Sequence, residues 1–157
     1  MSKIISYLLK RLIRLKFPSV QPLTTIELAQ WLENAAIPDL LILDARSEAE
    51  YVVSHLPAAK HLKATNFDAI ASGSAPSAIA PETKIVVYCS IGYRSAKAAQ
   101  QFQQAGFLNV FNLEGGIFQW ANEQRPIFND GLSTQRVHPY NNAWGKLLKA
   151  DHRHQAE

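Results

Sequence analysis

Cys89 is the only cysteine among 157 residues, and the residues around it are those a sulfur nucleophile needs. Ile85-Val86-Val87-Tyr88 reads as a buried strand, Cys89-Ser90-Ile91-Gly92 as a short loop, and Tyr93-Arg94-Ser95-Ala96 as the opening of a helix. A sulfur at such a junction faces main-chain N–H groups and the positive end of a helix dipole, both of which stabilise negative charge. Gly92 suits a loop that needs unusual dihedrals or close backbone approach. Ser95 has the chemistry of an N-cap, and Arg94 offers a cation to an anionic ligand. A cysteine after an apolar strand, taken alone, is a small buried hydrophobe. The Gly92, Arg94 and Ser95 setting points instead to a reactive thiol and to covalent catalysis.

Two carboxylates are placed alongside it. Asp44 follows the apolar run Leu40-Leu41-Ile42-Leu43, and Glu114 follows Val110 to Leu113. Both runs read as buried parallel strands. Ligands of open parallel sheets gather at the carboxyl ends of strands, and Asp44, Cys89 and Glu114 all fall at such ends. Asp44 with Arg46 reads as a turn and an ion pair, since a carboxylate directly beside a charged sulfur would oppose it.

The elements that must hold these residues alternate. Thr24 and Glu27 have capping-box spacing and open a helix to about residue 35; Ser47 and Glu50 do the same for a shorter helix through Val53. His61-Leu62 begins a short strand, and Phe67 to Ala71 a small helix. Residues 71 to 83 are rich in Ala, Ser, Gly and Pro and read as a surface loop. Ser95 to Ala105 is a helix ended by Gly106, and Gly115-Gly116 turns into a helix carrying Ile117, Phe118 and Trp120. Strand and helix in alternation predict an α/β domain with a central, mostly parallel sheet flanked by helices on both faces. Residues 127 to 157 are less regular. Asn129-Asp130-Gly131 is a turn, Trp144, Leu147 and Leu148 form one helical turn, and the end from Asp151 is read as mobile.

Composition is that of an ordinary soluble chain, 47% hydrophobic and 18% charged. One cysteine forms no internal disulfide, which fits a reducing compartment such as the cytoplasm. Five bases (Lys3, Lys10, Arg11, Arg14 and Lys16) precede the first acid, Glu27. With a net charge of +3 for the whole chain, the remainder is close to neutral. The basic residues do not continue along the chain, so no nucleic-acid partner is expected. Residues 3 to 17 have a helical pattern in which Ile5, Leu8, Leu12 and Leu15 share a face and Pro18 ends the run. That helix either packs on the domain, lies on an anionic membrane surface, or serves as a transit peptide. No stretch reaches the roughly 18 apolar residues that would span a bilayer. His55 and His61 lack the spacing and partners of metal ligands, His152 and His154 are read as solvated, and neither metal nor cofactor is expected.

With these elements placed, residues 20 to 126 resemble a rhodanese domain of the sulfurtransferase family. Three motifs carry the resemblance in the family's order: Leu43-Asp44-Ala45-Arg46 with Glu50-Tyr51 and His55-Leu56-Pro57; the loop Cys89-Ser90-Ile91-Gly92-Tyr93-Arg94-Ser95; and Leu113-Glu114-Gly115-Gly116 with Trp120. Ser54 stands where the family often has glycine. Ser90 stands where many members have a basic residue, which removes one anion contact. Residues 1 to 18 and 127 to 157 lie outside the resemblance, as a basic N-terminal helix and a C-terminal extension.

The resemblance implies a semicircular cradle from Cys89 to Arg94. Cys89 would take a sulfane sulfur from thiosulfate or a persulfide donor and pass it to a thiol or other nucleophile, small or on a protein partner. Ser90, Ile91, Gly92, Tyr93, Arg94 and Ser95 would contact substrate, with Asp44, Arg46 and Glu114 behind them. A sulfur-relay or non-catalytic binding module is the competing class. Cysteine-dependent phosphatases and arsenate reductases use Cys-x5-Arg; here four residues separate Cys89 from Arg94, and the smaller loop favours one sulfur atom over a phosphoryl group.

Overall fold

The computed structural model describes residues 3–34, 37, 39–73 and 78–155. Its centre is a five-stranded sheet in which every pairing is parallel, built from β1 (Gln21–Leu23), β2 (Leu41–Asp44), β3 (Lys60–His61), β4 (Lys84–Tyr88) and β5 (Asn109–Leu113). The strand order is β1-β5-β4-β2-β3, so the strand leading to Cys89 is the central one. Register aligns Asp44 with Tyr88 and Val87 with Asn112, which brings the carboxyl ends of β2, β4 and β5 to one edge of the sheet.

Side chains alternate across β4 and divide the core in two. Val86 and Tyr88 face one layer, with Leu28 of α2 (Thr25–Glu33) and Ile117, Phe118 and Trp120 of α6 (Gly116–Asn122). Ile85 and Val87 face the other, with Phe67 and Ile70 of α4 (Phe67–Ser72) and Ala96, Ala99 and Phe102 of α5 (Tyr93–Gln104). A strand buried on both faces is what continuous apolar runs encode in a parallel sheet. Both capping boxes are present, at Thr24 for α2 and at Ser47 for α3 (Glu48–Val53). Edge strand β1 has no apolar run, and Pro22 is tolerated there because an edge leaves N–H groups unused.

The C-terminal residues are more ordered than their composition suggests. Strands β6 (Ile127–Asn129) and β7 (Leu132–Thr134) form an antiparallel hairpin around Asp130-Gly131. Phe128 exchanges both main-chain hydrogen bonds with His55, each 2.9 Å. A short helix α7 (Asn142–Gly145) follows, and Val137 and Leu148 are fully buried on the α2/α6 layer. His152 is buried, its ring 2.8 Å from the Gln135 carbonyl, so it is not the solvated tail residue expected. The stretch expected to be mobile is therefore docked up to this point; residues 156 and 157 lie outside the described residues, as do 74–77 of the expected surface loop.

The N-terminal helix α1 (Lys3–Lys16) buries Ile13 alone, and the chain after it buries Phe17 and Val20. Of the alternatives left open for this helix, packing on the domain does not use Ile5, Leu8, Leu12 and Leu15, which point to solvent. Among the described residues no helix is long and apolar enough to cross a membrane.

Phe102 joins the α5 layer to both Phe67 and Phe107, with ring centroids 4.9 and 5.3 Å away. Phe102→Ala should lower unfolding free energy by about 3–5 kcal/mol, read from denaturant titration. A loss under 1 kcal/mol would contradict this core (about a buried methylene's worth).

Candidate active site

Cys89 begins the loop between β4 and α5, and its side chain is buried. The Gly92 N–H donates to Sγ at 3.1 Å. The loop's carbonyls are directed elsewhere. Ile117 N–H donates to the Cys89 carbonyl at 2.9 Å and Phe118 N–H to the Ser90 carbonyl at 3.1 Å, both from the first turn of α6. Asn112 Nδ2 donates to the Gly92 carbonyl at 3.0 Å. Turning acceptors outward leaves donors on the inside, which suits an anion.

Two glycines make this possible. Gly92 has φ +112°, a conformation that L side chains rarely adopt. Gly116 sits against the loop itself; a Cβ there would lie 2.4 Å from the Cys89 carbonyl oxygen. Gly116 is thus the seat on which the cysteine loop rests.

Gly92, not Ser95, occupies the N-cap position of α5 and makes no side-chain cap bond. Ser95 lies inside the helix, with its hydroxyl 3.3 Å from Cys89 Sγ and 2.6 Å from Asn112 Oδ1. It has one proton for these two acceptors and serves one at a time. Asn112 is buried in β5 and was not singled out from the sequence. A polar residue within Val110-Phe111-Asn112-Leu113 was the available signal.

Arg94 is not free to wait for an anion. Its guanidinium donates from Nη1 to Glu50 Oε1 at 2.8 Å and from Nη2 to Glu50 Oε2 at 2.9 Å, a bidentate pair. It also donates to Ser90 Oγ at 3.0 Å, and Ser90 in turn donates to Glu50 at 3.2 Å. The ring of Tyr140, from the C-terminal extension, lies 4.7 Å from the guanidinium carbon. Glu50 therefore works twice, as capping-box residue of α3 and as buried partner of the loop arginine. The capping spacing was legible; the second role needed the fold. Burial alone would push the Glu50 carboxyl up, but the Arg94 bonds, the Arg94 charge and donors from Ser47 outweigh it and hold it at about 2.

Asp44 and Arg46 form a separate buried unit under the site. Arg46 Nη2 donates to Asp44 Oδ2 at 2.7 Å and to the Ser54 carbonyl at 2.6 Å. Tyr88 OH donates to the same carboxylate at 2.7 Å and accepts from Leu56 N–H at 3.2 Å. Burial and the Asp44 charge push the Tyr88 phenol well above its ordinary range, so it stays a donor. Ser54 lends its carbonyl to this unit.

The other expected site residues are distributed around the loop. Ile91 packs against the α2/α6 layer. Tyr93 is half-exposed, with Lys16 Nζ 5.1 Å from its ring centroid and Phe17 edge-on at 5.5 Å. Glu114 accepts from Arg14 Nε and Nη2, both at 2.6 Å, so its carboxylate is turned to α1 rather than to Cys89. His55 stacks on Tyr51, and His61 Nε2 lies 2.6 Å from the Arg46 carbonyl. Among the described residues no group of three or more His, Cys, Asp or Glu is arranged to hold a metal ion.

A strand-end loop whose Gly92 N–H and Ser95 hydroxyl meet a buried cysteine sulfur is suited to holding negative charge there, and comparison with known proteins specifies the class of protein. The pattern of the rhodanese-like domain matches residues 24–123, and the chain belongs to that family. It is 31% identical over 104 residues to the probable adenylyltransferase/sulfurtransferase MoeZ of Mycobacterium tuberculosis, covering 66% of this chain and 25% of that protein. It is 34% identical over 93 residues to the tRNA uridine(34) hydroxylase of Cronobacter sakazakii, covering 56% of this chain and 26% of that one. The chain thus spans about a quarter of the length of these curated relatives. The fold superposes on a thiosulfate sulfurtransferase from Pseudomonas aeruginosa with a TM-score of 0.61 at 23% identity, over 90% of this chain and 26% of that one. Family membership supports a sulfurtransferase-type activity in general.

The depressed Glu50 carboxyl has a pH consequence. Its folded value, about 2, lies below the ordinary 4.5, so its contribution to stability is complete above 4.5 and is lost as pH falls towards 2. Glu50→Gln should cost about 1–3 kcal/mol at neutral pH, less than a fully buried pair because Arg94 retains some exposure. It should also flatten the acid limb of stability between those two pH values, measured by urea denaturation. An acid limb as steep as that of the unsubstituted protein would assign the dependence to other carboxylates.

Proposed function

We propose that this protein is a sulfurtransferase that moves a sulfane sulfur through a persulfide on Cys89. The observation that carries the reading is the Cys89 loop, whose Gly92 N–H meets Sγ at 3.1 Å while α6 and Asn112 draw its carbonyls outward.

In the first half-reaction the Cys89 thiolate attacks the outer sulfur of thiosulfate. The Cys89–S bond forms as the S–S bond of thiosulfate breaks, and sulfite leaves with the bonding pair. In the second half-reaction an acceptor thiolate attacks the outer persulfide sulfur. The new persulfide departs on the acceptor, and the bonding pair returns to Cys89 as thiolate. The chain has no second cysteine, so the acceptor is an external thiol or a protein, which suits a thiol-rich reducing compartment such as the cytoplasm.

The Gly92 N–H at Sγ holds the charge on sulfur in the resting and persulfide states. The hydroxyl of Ser95 swings its proton from Asn112 Oδ1 to Sγ when the sulfur is charged. Arg94 acts from within its pair with Glu50, orienting the loop and offsetting the donor's charge in part. Ser90, Ile91 and Tyr93 shape the approach. Asp44, Arg46 and Tyr88 keep the loop's support rigid, and Glu114 does so through Arg14.

Incubation with thiosulfate should add one sulfur mass (about 32 Da) to the intact protein by mass spectrometry, and Cys89→Ala should abolish the adduct. Ser95→Ala should slow adduct formation by roughly tenfold, one lost hydrogen bond to a charged atom. An adduct formed only from a persulfidated protein would move the reading to a sulfur relay. Phosphatase turnover dependent on Cys89 would overturn it.

A further inference from the structure

Helix α1 is attached to the domain by one side only. Ile13 is its single buried residue, its Cδ1 beside Gly92, and Arg14 is tied to Glu114. On the opposite side Ile4, Leu8, Leu12 and Leu15 are 69%, 49%, 62% and 68% exposed, and Ile5 lies between them at 42%. At 3.6 residues per turn these five fall within an arc of about 100°. Arg11 borders one edge of the arc and Lys16 the other. Lys3, Lys10, Arg11 and Lys16 make no ion pair with any described residue. The first acid, Glu27, lies beyond the helix.

From this arrangement we infer that α1 is an interfacial docking helix that lies flat on an anionic lipid surface, its apolar arc in the headgroup boundary and its basic rim on lipid phosphates. A contiguous apolar stripe turned to water with a cationic border is the form such helices take. Charge decides the occupant. A second copy of the chain pairing through the same stripe would set one basic rim against another with no acid to relieve it. An anionic surface complements both components at once. Fourteen helical residues extend about 21 Å, short of the roughly 30 Å hydrocarbon core, so α1 lies on the bilayer and does not span it. Docking by this face leaves Ile13 and Arg14 in place, and the Cys89 loop then sits about one helix diameter, some 10 Å, from the lipid. The inference stands independently of the sulfur-transfer reading.

Full-chain protein should co-sediment with vesicles of phosphatidylglycerol and phosphatidylcholine, bind pure phosphatidylcholine vesicles far less, and dissociate as salt is raised. Leu8→Ser with Leu12→Ser should weaken binding at least about tenfold, and Arg11→Glu, a charge reversal on the rim of the arc, should do likewise. Leu8, Arg11 and Leu12 are exposed and lie off the domain contact, so both variants should keep the thermal midpoint of the parent, which confirms that they are folded. Absence of binding to anionic vesicles would overturn the inference. So would binding that ignores the leucines, or a dimer in solution that the leucine variant dissolves.

Discussion

The cysteine loop depends on where its carbonyls go. A turn of main chain has as many acceptors as donors, and it favours an anion only if the acceptors are satisfied elsewhere. Here the first turn of α6 takes the Cys89 and Ser90 carbonyls, and Asn112 takes that of Gly92. The same contacts fix the spacing of α6 from the loop so closely that Gly116 has no room for a side chain. Glycine at 116 is therefore a requirement of the cysteine site, although it is far from Cys89 in sequence.

Two charged units surround that loop with different environments. Asp44 and Arg46 are wholly enclosed, and their pair with Tyr88 and the Ser54 carbonyl fastens the end of β2 to the segment before β3. Glu50 and Arg94 sit nearer solvent and join α3 to α5 across the loop. Ser90 bridges that second pair. Directly after the cysteine this chain places a hydroxyl that steadies the arginine. Tyr140 then covers the guanidinium from outside.

Both chain ends are built onto the site. The N-terminal helix reaches it through Ile13, Arg14 and Lys16, and the C-terminal segment through Tyr140. Each end also shows where pattern and packing part. An apolar stripe at helical spacing signals a buried face only if a partner surface is available. α1 uses Ile13 for the domain and leaves the stripe outside. The C-terminal residues lack periodicity, yet they bury Val137, Leu148 and His152 because the α2/α6 layer offers an apolar seat.

The sequence by itself determined the alternation of buried strands and helices, both capping boxes, and the strand-end position of Asp44, Cys89 and Glu114. These features are written in local patterns: apolar runs, cap spacings, and glycine where the chain must turn. Only the tertiary structure decided that Glu50 would hold Arg94, that Asn112 would share the Ser95 proton with the sulfur, that Glu114 would face Arg14, and that Tyr140 would close over the loop. Each of those contacts joins residues 17 to 100 positions apart. Such pairings follow from sheet order and register, which no local pattern encodes, because a charged or polar side chain carries no mark of its distant partner.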